Sequence, residues 1–419
     1  MSIRSSLSRG LSLAVIVALA ACSENGATNP SAVAPALTAL PRDLTSAERG
    51  VLSASNTFSF ALWKRVNLAQ KDSNVFVSPL SASFSLGMTM NGAANQTLDD
   101  MRTGLQFGTT SLTDINAGYK SLIALLTSLD PTVTMDIANS IWYRNTFPFN
   151  QSFLDDGVNY FGATIKPLDF ANVDASLSAI NGWVNTQTKG KIPTILDKIE
   201  SDNVMFLINA IYFKGSWRER FDPAQTQDGT FHAAGGDQTV RLMHRHGKIL
   251  YAEAPTYQAV DLPYGDSAFT MTVVLPKTGT TVESVAASLD PAAWQTLTTS
   301  LRVAEVDLYL PKVKMSWGRG LIPDLKGLGM NAPFTDGADF TRMSTRGREL
   351  FISSVRQKTF VDINEEGTEA AAVTSTGISL TSAPITMVVR VDRPFVFVIR
   401  ERLSGTVLFM GKVVKIPAA

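Results

Sequence analysis

Apolar residues recur at helical spacing through the first part of the chain. Segment 45–68 opens with the capping-box pattern TSAE and keeps its apolar residues on one side, which predicts a long helix with one buried face. Ser78-Pro79 opens a second predicted helix that runs to Met90, because proline fits the first turn of a helix. Further helices are predicted within 91–100, after a break, and at 122–129.

Beyond residue 131 the pattern changes to short runs of β-branched and aromatic residues separated by turns. These runs predict strands at 132–143, 204–213, 240–243, 259–262, 269–275, 303–310, 358–363, 386–391, 395–399 and 406–414. Helical spacing returns at 177–188, 282–289 and 291–301. Helices followed by many strands predict an α+β domain with large antiparallel or mixed sheets. No linker-like stretch interrupts residues 45–419, so we expect a single domain there.

The composition excludes several classes of function. Lys and Arg total 37, as do Asp and Glu, so no basic excess indicates a nucleic-acid partner. A single cysteine excludes an internal disulfide framework and a cysteine-based zinc site.

The single cysteine, Cys22, lies at the end of a predicted N-terminal export signal. Arg4 and Arg9 precede the apolar stretch 11–20, which is short for a membrane span. Leu19-Ala20-Ala21-Cys22 resembles the lipobox of bacterial lipoproteins, which implies a signal peptide at 1–21 and acyl chains on Cys22. The alternative is an ordinary secretory signal that is cut after Ala20 or Ala21. Either interpretation predicts export.

The residues after Cys22 predict a tether and a location. Segment 22–44 is rich in Ala, Pro, Thr, Ser and Asn, which predicts a flexible tether. Two or three acyl chains hold a protein stably at a membrane. Ser23, in place of Asp, favours the outer membrane by analogy with bacterial lipoproteins, so we expect a cell-envelope or extracellular protein.

Motifs of the common enzymes are absent. The sequence has no G-x-S-x-G, no P-loop and no dinucleotide-binding glycine pattern. His232, His244 and His246 are the three histidines, and a metal pair or a general base at His244-x-His246 is one interpretation. Hydrogen-bonded or solvent-facing histidines are favoured, because no Asp, Glu or Cys set nearby in the sequence completes a ligand shell. We therefore expect no enzyme activity, no metal and no cofactor.

Segment 364–384, NEEGTEAAAVTSTGISLTSAP, differs from the apolar strands on either side of it. Its acidic and glycine start leads into small residues, and no charge follows Glu369 until Arg390. A disordered linker is one interpretation of this composition. It does not account for the ordered patterns that flank the segment.

These flanking patterns resemble the serpins, the serine protease inhibitor superfamily. The start of the segment resembles the hinge of the serpin reactive-centre loop, which comprises Glu365, Glu366, Gly367, Thr368, Glu369, Ala370, Ala371 and Ala372. Five other segments resemble serpin motifs in the right order: NVFVSPLS at 74–81, NGWV at 181–184, NAIYFKGSW at 209–217, VRVDRPFVFVI at 389–399 and LFMGKV at 408–413.

The resemblance implies a fold and a mechanism. The fold has large mixed sheets, about eight or nine helices and an exposed loop at about 365–385. A target serine protease cleaves the loop, forms an acyl-enzyme, and is trapped when the cut loop inserts into the main sheet. The implied protein is a monomeric inhibitor. The alternative is a serpin that does not inhibit and serves as a binding or substrate protein.

The hinge composition favours the inhibitor. Strand alternation sends Thr368, Ala370, Ala372 and Thr374 to one face, which suits the core because all four are small. The other face receives Glu369, Ala371, Val373 and Ser375. Gly367 provides a backbone pivot.

The resemblance also implies the cleaved bond and the residues that control insertion. Family spacing places the bond at Thr381–Ser382, with Leu380–Thr381 and Ser382–Ala383 as alternatives. Small and apolar residues there favour elastase-like or subtilisin-like targets, or chymotrypsin-like ones for a cut after Leu380. Trp217 matches the breach, and Ser78, Asn209 and Gln357 match the shutter. Gln357 stands where many serpins carry histidine, and its amide is expected to bridge Ser78 and Asn209.

Overall fold

The computed structural model describes residues 35–368 and 386–417. The helices within these residues are α1 Ser46–Ala69, α2 Pro79–Met90, α3 Asn95–Gly104, α4 Leu112–Ser128, α5 Gln151–Phe161, α6 Val173–Gln187, α7 Val282–Ser288, α8 Pro291–Ser300 and α9 Ile322–Lys326. The strands are β1 Val75–Val77, β2 Val133–Arg144, β3 Thr164–Leu168, β4 Met205–Ser216, β5 Gln227–Ala233, β6 Gly236–Glu253, β7 Tyr257–Pro263, β8 Phe269–Pro276, β9 Arg302–Pro311, β10 Val313–Gly320, β11 Arg356–Asn364, β12 Gly367–Thr368, β13 Met387–Arg390, β14 Phe395–Glu401 and β15 Val407–Val413.

The strands form two sheets, and the smaller one carries the candidate site. The larger sheet has the order β1-β15-β14-β8-β7-β6-β9-β13, with β5 paired to β6. The smaller, central sheet has the order β10-β11-β12-β4-β2-β3. Its neighbours are antiparallel except at β2–β3, which are parallel. The predicted α+β class with mixed sheets is confirmed.

The first helix forms where its sequence pattern predicted. The Thr45 side chain accepts a hydrogen bond from the Glu48 amide at 3.1 Å, and the Glu48 carboxylate accepts one from the Thr45 amide at 2.6 Å. This reciprocal capping box satisfies donors that the start of a helix leaves free. The buried face of α1 then carries Phe58, Leu62 and Trp63 into the main core.

Several elements differ from the predicted ones. Helix α4 starts ten residues before the predicted 122–129, and β6 is far longer than 240–243. The pattern missed β3, β5, β10, α5 and α9. In β10 buried Val313, Met315 and Trp317 alternate with exposed residues, and two glycines follow at its end. The pairing of β10 with β11 is what holds it in strand form.

The predicted tether lies partly against the domain. The amide of Leu37 donates to the carbonyl of Asp266 at 2.6 Å, and Arg402 donates to the carbonyl of Leu37 at 2.5 Å. Arg42 pairs with Glu48. The folded part thus begins before the predicted boundary at residue 45, because the Asp266 carbonyl and the Arg402 side chain bind Leu37. The signal peptide and Cys22 lie outside the described residues.

None of the helices within residues 35–368 and 386–417 is long and apolar enough to cross a membrane.

Candidate functional site

The start of the predicted hinge lies inside the central sheet. Gly367 and Thr368 form β12, which pairs with Ile363 and Asn364 of β11 on one side and with Gly215 and Ser216 of β4 on the other. Beyond these paired residues, no described strand pairs with the edge of β4 at 205–214 or with the edge of β11 at 356–362 that faces it. A strand that continued from Thr368 would run antiparallel to both edges.

The side chain of Thr368 points into the core, on the face that the alternation predicted. Its hydroxyl lies 2.7 Å from the hydroxyl of Tyr264, and both side chains are buried. Burial raises the pKa of Tyr264 far above its usual value, although the hydrogen bond to Thr368 opposes the change. Tyr264 therefore stays neutral and keeps a proton for this contact.

Gly367 is required at its position by a close backbone approach. Its φ angle is +151°, and a Cβ atom there would lie 2.1 Å from the carbonyl oxygen of Gly215. Any larger residue would push β12 away from β4. The glycine that was predicted as a pivot thus also permits the hinge to enter the sheet.

Trp217, the predicted breach residue, holds the backbone of the hinge. Its indole Nε1 donates to the carbonyl of Asn364 at 2.9 Å, and its backbone amide donates to the carbonyl of Glu366 at 2.8 Å. The ring stacks on Tyr264 with 4.5 Å between centroids. Trp217 therefore links the turn before β12 to the residue that binds Thr368.

Glu365 is held by an ion pair and a hydroxyl. Its carboxylate accepts from Lys312 Nζ at 2.8 Å and from Thr226 Oγ1 at 2.9 Å, and its carbonyl accepts from the Phe221 amide at 3.0 Å. Partial burial raises the pKa of Glu365, but the hydrogen bonds from Lys312 and Thr226 outweigh burial and lower it below the ordinary 4.5. The ionised carboxylate is thus the form that clamps the hinge.

Glu365→Gln is expected to reduce stability at neutral pH but not in acid. The folded-state pKa lies below 4.5, so the stabilisation is complete above pH 4.5 and disappears as the pH falls through the folded value. Unfolding midpoints of wild type and variant, measured in denaturant between about pH 3 and 7, should converge at low pH. Lys312→Met should reproduce this convergence. A difference that stays constant with pH would contradict the clamp.

The shutter residues form two separate hydrogen-bond groups. Gln357 accepts from the Ser78 amide at 2.9 Å and donates to the Ser78 carbonyl at 2.7 Å, and all these atoms are buried. Asn209 instead accepts from Ser81 and donates to Asn139 at 2.6 Å. The predicted bridge between Ser78 and Asn209 through Gln357 is therefore not formed. The first turn of α2, which carries both serines, joins the two groups.

Gln357→Met is expected to destabilise the protein by about 2 kcal/mol, because it leaves a buried amide and a buried carbonyl of Ser78 without partners. Gln357→His can retain one of the two bonds and should lose about half as much. Urea unfolding of the three proteins measures both values. Equal losses in Met and His would mean that packing, and not hydrogen bonding, decides the effect.

Lys312 and Tyr264 were missed by sequence reasoning. Lys312 follows β9 and Tyr264 follows β7, so each lies far along the chain from the hinge. No local pattern marks either residue, since pairing of the sheets brings them to the hinge. Glu369, Ala370, Ala371, Ala372, Leu380, Thr381 and Ser382 lie outside the described residues.

The hydrogen bonds and ion pairs of the three histidines go to residues other than those of the described part of the hinge. His232 pairs with Asp237 at 2.8 Å on an exposed turn. His244 and His246 lie on β6 and contact Asp307 and Glu305 of the neighbouring β9. The acidic neighbours that the sequence did not show thus come from a strand some 60 positions downstream.

A family profile and a known relative both match most of the chain. A sequence profile of the family described as Serpin (serine protease inhibitor) matches residues 53–416. The leukocyte elastase inhibitor of Equus caballus is 34% identical over 375 residues, which cover 86% of this chain and 98% of that protein.

Two solved structures resemble the fold over most of its length. The thermophilic serpin tengpin, in its native state, has a TM-score of 0.79 and 30% identity, with 90% of this chain and 96% of that chain covered. Human thyroxine-binding globulin complexed with thyroxine has a TM-score of 0.82 and 28% identity, with 89% and 100% covered. The arrangement of helices and sheets expected from the sequence is confirmed by these structures.

Proposed function

The chain belongs to the serpin family, and on that premise we propose that it inhibits serine proteases by loop cleavage, acyl-enzyme formation and insertion of the cut loop into the central sheet. The observation that carries this proposal is β12. A hinge whose first two residues already pair with β4 and β11 needs only to continue the same ladder. We propose that the protein acts as a monomer.

The register of β12 defines where an inserted loop would lie. Continued along both strands, this register would put Ala370 between Val361 and Phe213, and Ala372 between Thr359 and Ile211. Thr374 would lie between Gln357 and Asn209. Along the buried face of the inserted strand, the residues nearest Thr368 would contact core side chains, and Thr374 would contact the amides of the shutter. Small residues followed by threonine suit this order of surroundings.

The length of β4 determines how far the protease would travel. The 12 residues of β4 span roughly 40 Å at about 3.3 Å per residue. In the continued register Met205, at the start of β4, lies opposite Ile378. The bond Thr381–Ser382 falls beyond this end, so insertion would draw an attached protease along the whole sheet before deacylation.

Insertion would be driven by two new ladders. The facing edges of β4 and β11 offer backbone donors and acceptors that a central strand would pair on both sides. Net gains of about 0.5–1.5 kcal/mol per hydrogen bond add up over ten residues to a large driving force. The contacts that hold Glu365 and the hydrogen bonds of Gln357 stabilise the state before insertion. The free energy gained on insertion must exceed the stabilisation that is lost if these contacts break.

We propose elastase-like enzymes as the targets, with subtilisin-like and chymotrypsin-like enzymes as alternatives. The window 378–383, ISLTSA, holds small or apolar residues and no charge. The leukocyte elastase inhibitors among the relatives carry their target in their names. The preferred bond is Thr381–Ser382, with Leu380–Thr381 and Ser382–Ala383 as the other candidates.

We propose that the mature protein is held at the cell envelope by acyl chains on Cys22. The lipobox supports this proposal. Leu37, the first residue that binds the folded part, lies about 15 positions after Cys22, so the anchor would leave a short connection to the domain. Cys22→Ser should move the protein from the membrane fraction to the soluble exported fraction. Retention of the variant in the membrane fraction would argue against the anchor.

Incubation with an elastase, a subtilisin and a chymotrypsin tests the main proposal. An SDS-resistant complex and loss of protease activity are expected with at least one of them. A cut at Thr381–Ser382 should release a C-terminal peptide that begins at Ser382, which mass spectrometry identifies. Clean cleavage in the loop without any complex would support the alternative, a serpin-fold substrate or binding protein that does not inhibit.

A further inference from the structure

A cavity lies between β4 and β11, at the end of the gap that is farthest from β12. Its volume is about 160 Å³, and its walls are residues 202–207, at the start of β4, and residues 349–354, which lead into β11. Phe340 and Met343 also line it, and both are buried in the main core. The cavity therefore extends from the gap towards the core side of the sheet.

A second cavity, closer to β12, is much smaller. Its volume is about 30 Å³, and its lining includes Asn209 of β4, Gln357 of β11 and Ser81 of α2. Ser81 donates to Asn209, which places α2 on the core side of the sheet at this level. The space on the core side of the gap thus increases from the shutter towards the start of β4.

Met205, in the wall of the wide cavity, faces the same side of the sheet as Thr368. Its side chain packs against the main core, whereas the next residue, Phe206, packs against the cluster that contains Ile180 of α6. Thr368 lies opposite Gly215, and steps of two residues along β4 lead from Gly215 to Met205. A loop residue opposite Met205 would therefore point its side chain towards the core.

The loop carries its large apolar side chains where it would reach the wide cavity. Continued along β4, the β12 register would put Thr374 opposite Asn209 and Ile378 opposite Met205. The residues on this face of the loop are Thr368, Ala370, Ala372, Thr374, Thr376, Ile378 and Leu380. Small side chains thus precede the two large ones, in the same order as the space in the gap increases.

We infer that the wide cavity seats Ile378 and Leu380 when the cut loop inserts, a role that rests on the mechanism proposed above. A cavity of about 150 Å³ lined by apolar side chains holds a benzene molecule, so the volume here suits a branched aliphatic side chain. Ile378 would contact Met205, and Leu380 would lie two positions further along, beside Asn203. Burial removes both side chains from water and therefore stabilises the inserted state.

The seat gives Ile378 and Leu380 a second task besides that of attracting a protease, and it favours one of the candidate bonds. In a cut at Thr381–Ser382, the seryl oxygen of the protease bonds to the Thr381 carbonyl carbon, and the Ser382 amine leaves with the seryl proton. Both apolar side chains are then free to reach the cavity. A cut after Leu380 would instead hold the Leu380 side chain in the protease for as long as the ester lasts.

Guanidinium unfolding of the protein before and after a cut in the loop tests the seat. An elastase or a subtilisin makes the cut, mass spectrometry locates it, and the cut protein is separated from any covalent complex. The cut protein should unfold at a higher midpoint than the intact one, because insertion pairs a strand on both sides. Ile378→Ala should lower the midpoint of the cut protein by about 0.3 M or more and leave that of the intact protein unchanged.

Ile385→Ala is the matched control for this variant. It makes the same deletion beyond the candidate bonds, in the part of the chain that does not enter the sheet with the cut loop. It should change the midpoints of the cut and intact proteins equally.

Met205→Trp is the reciprocal change, because it adds volume to the wall of the cavity. It should lower the midpoint of the cut protein, since Ile378 then lacks room, and not that of the intact protein. Combining it with Ile378→Ala should recover at least half of the loss, because the larger and the smaller side chain compensate each other.

The seat and the proposed inhibition fail separately in these experiments. A protein that forms no covalent complex, but whose cut form shows the raised midpoint and its loss in Ile378→Ala, would contradict inhibition and support the seat. Equal midpoints of the cut wild-type and Ile378→Ala proteins would overturn the seat, even if a protease is trapped. A cut wild-type protein that is no more stable than the intact one would overturn it as well.

Discussion

Replacing Thr368 with arginine is expected to convert the protein from an inhibitor into a substrate. Thr368 is buried against Tyr264, and the continued ladder begins at this residue. Burying an unpaired guanidinium costs several kcal/mol, so arginine is expected to keep β12 out of the sheet before cleavage. Insertion must then meet that cost, and each 1.4 kcal/mol slows it about tenfold. Deacylation then wins the competition with insertion. The number of inhibitor molecules consumed for each protease molecule inhibited should rise at least tenfold, as titration of residual protease activity measures.

Glu369→Arg is the matched control for this experiment. It introduces the same side chain one position further along, on the opposite face of the strand. In the continued register that position lies between Asp362 and Lys214, both partly exposed. Inhibition should be largely retained. Full inhibition by Thr368→Arg would show that the buried face of the hinge does not control insertion, and equal loss in both variants would show that position along the loop matters more than face.

Replacing Arg400 with methionine is expected to lower the free energy of unfolding by about 3–5 kcal/mol. Arg400 of β14 donates to both carboxylate oxygens of Asp261 at 3.1 and 3.2 Å, and Thr272 donates to Asp261 as well. Both charged side chains are buried. The variant leaves the Asp261 charge in the core with the Thr272 hydroxyl as its remaining partner, which is why the cost is large.

Two controls test that explanation by denaturant unfolding. The double variant Asp261→Leu/Arg400→Met removes both charges and should recover most of the loss, because an apolar pair avoids the cost of an unpaired buried charge. Arg346→Met breaks the exposed pair with Glu349 and should cost far less than Arg400→Met. A double variant as unstable as Arg400→Met would mean that packing around the side chain dominates.

The helices and the hinge composition could be predicted because they depend on neighbours in the sequence. The capping box of Thr45 and Glu48 and the proline after Ser78 both act within one turn of helix, and both were found where predicted. Alternation along a strand likewise identified the core-facing side of Thr368 without any knowledge of Tyr264. In each case the relevant contact lies within a few residues, or the rule concerns only one strand.

The candidate site was predictable in some of its members, and its contacts were predictable only in part. Trp217 and Gln357 were identified by resemblance. The predicted contact of Gln357 with Ser78 is formed, through the Ser78 backbone, whereas the predicted contact with Asn209 is not. The position of β11 relative to the start of α2 decides which groups the Gln357 amide can reach. A sequence pattern carries no information about a register between segments that lie 279 positions apart.

The sequence alone determined that residues 367–374 are mostly small and carry one charge, at Glu369, and therefore suit entry into a sheet. It also determined the uncharged window that would attract a protease. Only the tertiary structure decided how the hinge is held, through Lys312 and Thr226 on Glu365 and through Tyr264 on Thr368. It also placed Asp307 and Glu305 beside His244 and His246. The reason is the same in both cases: strand pairing brings together side chains that no local spacing relates.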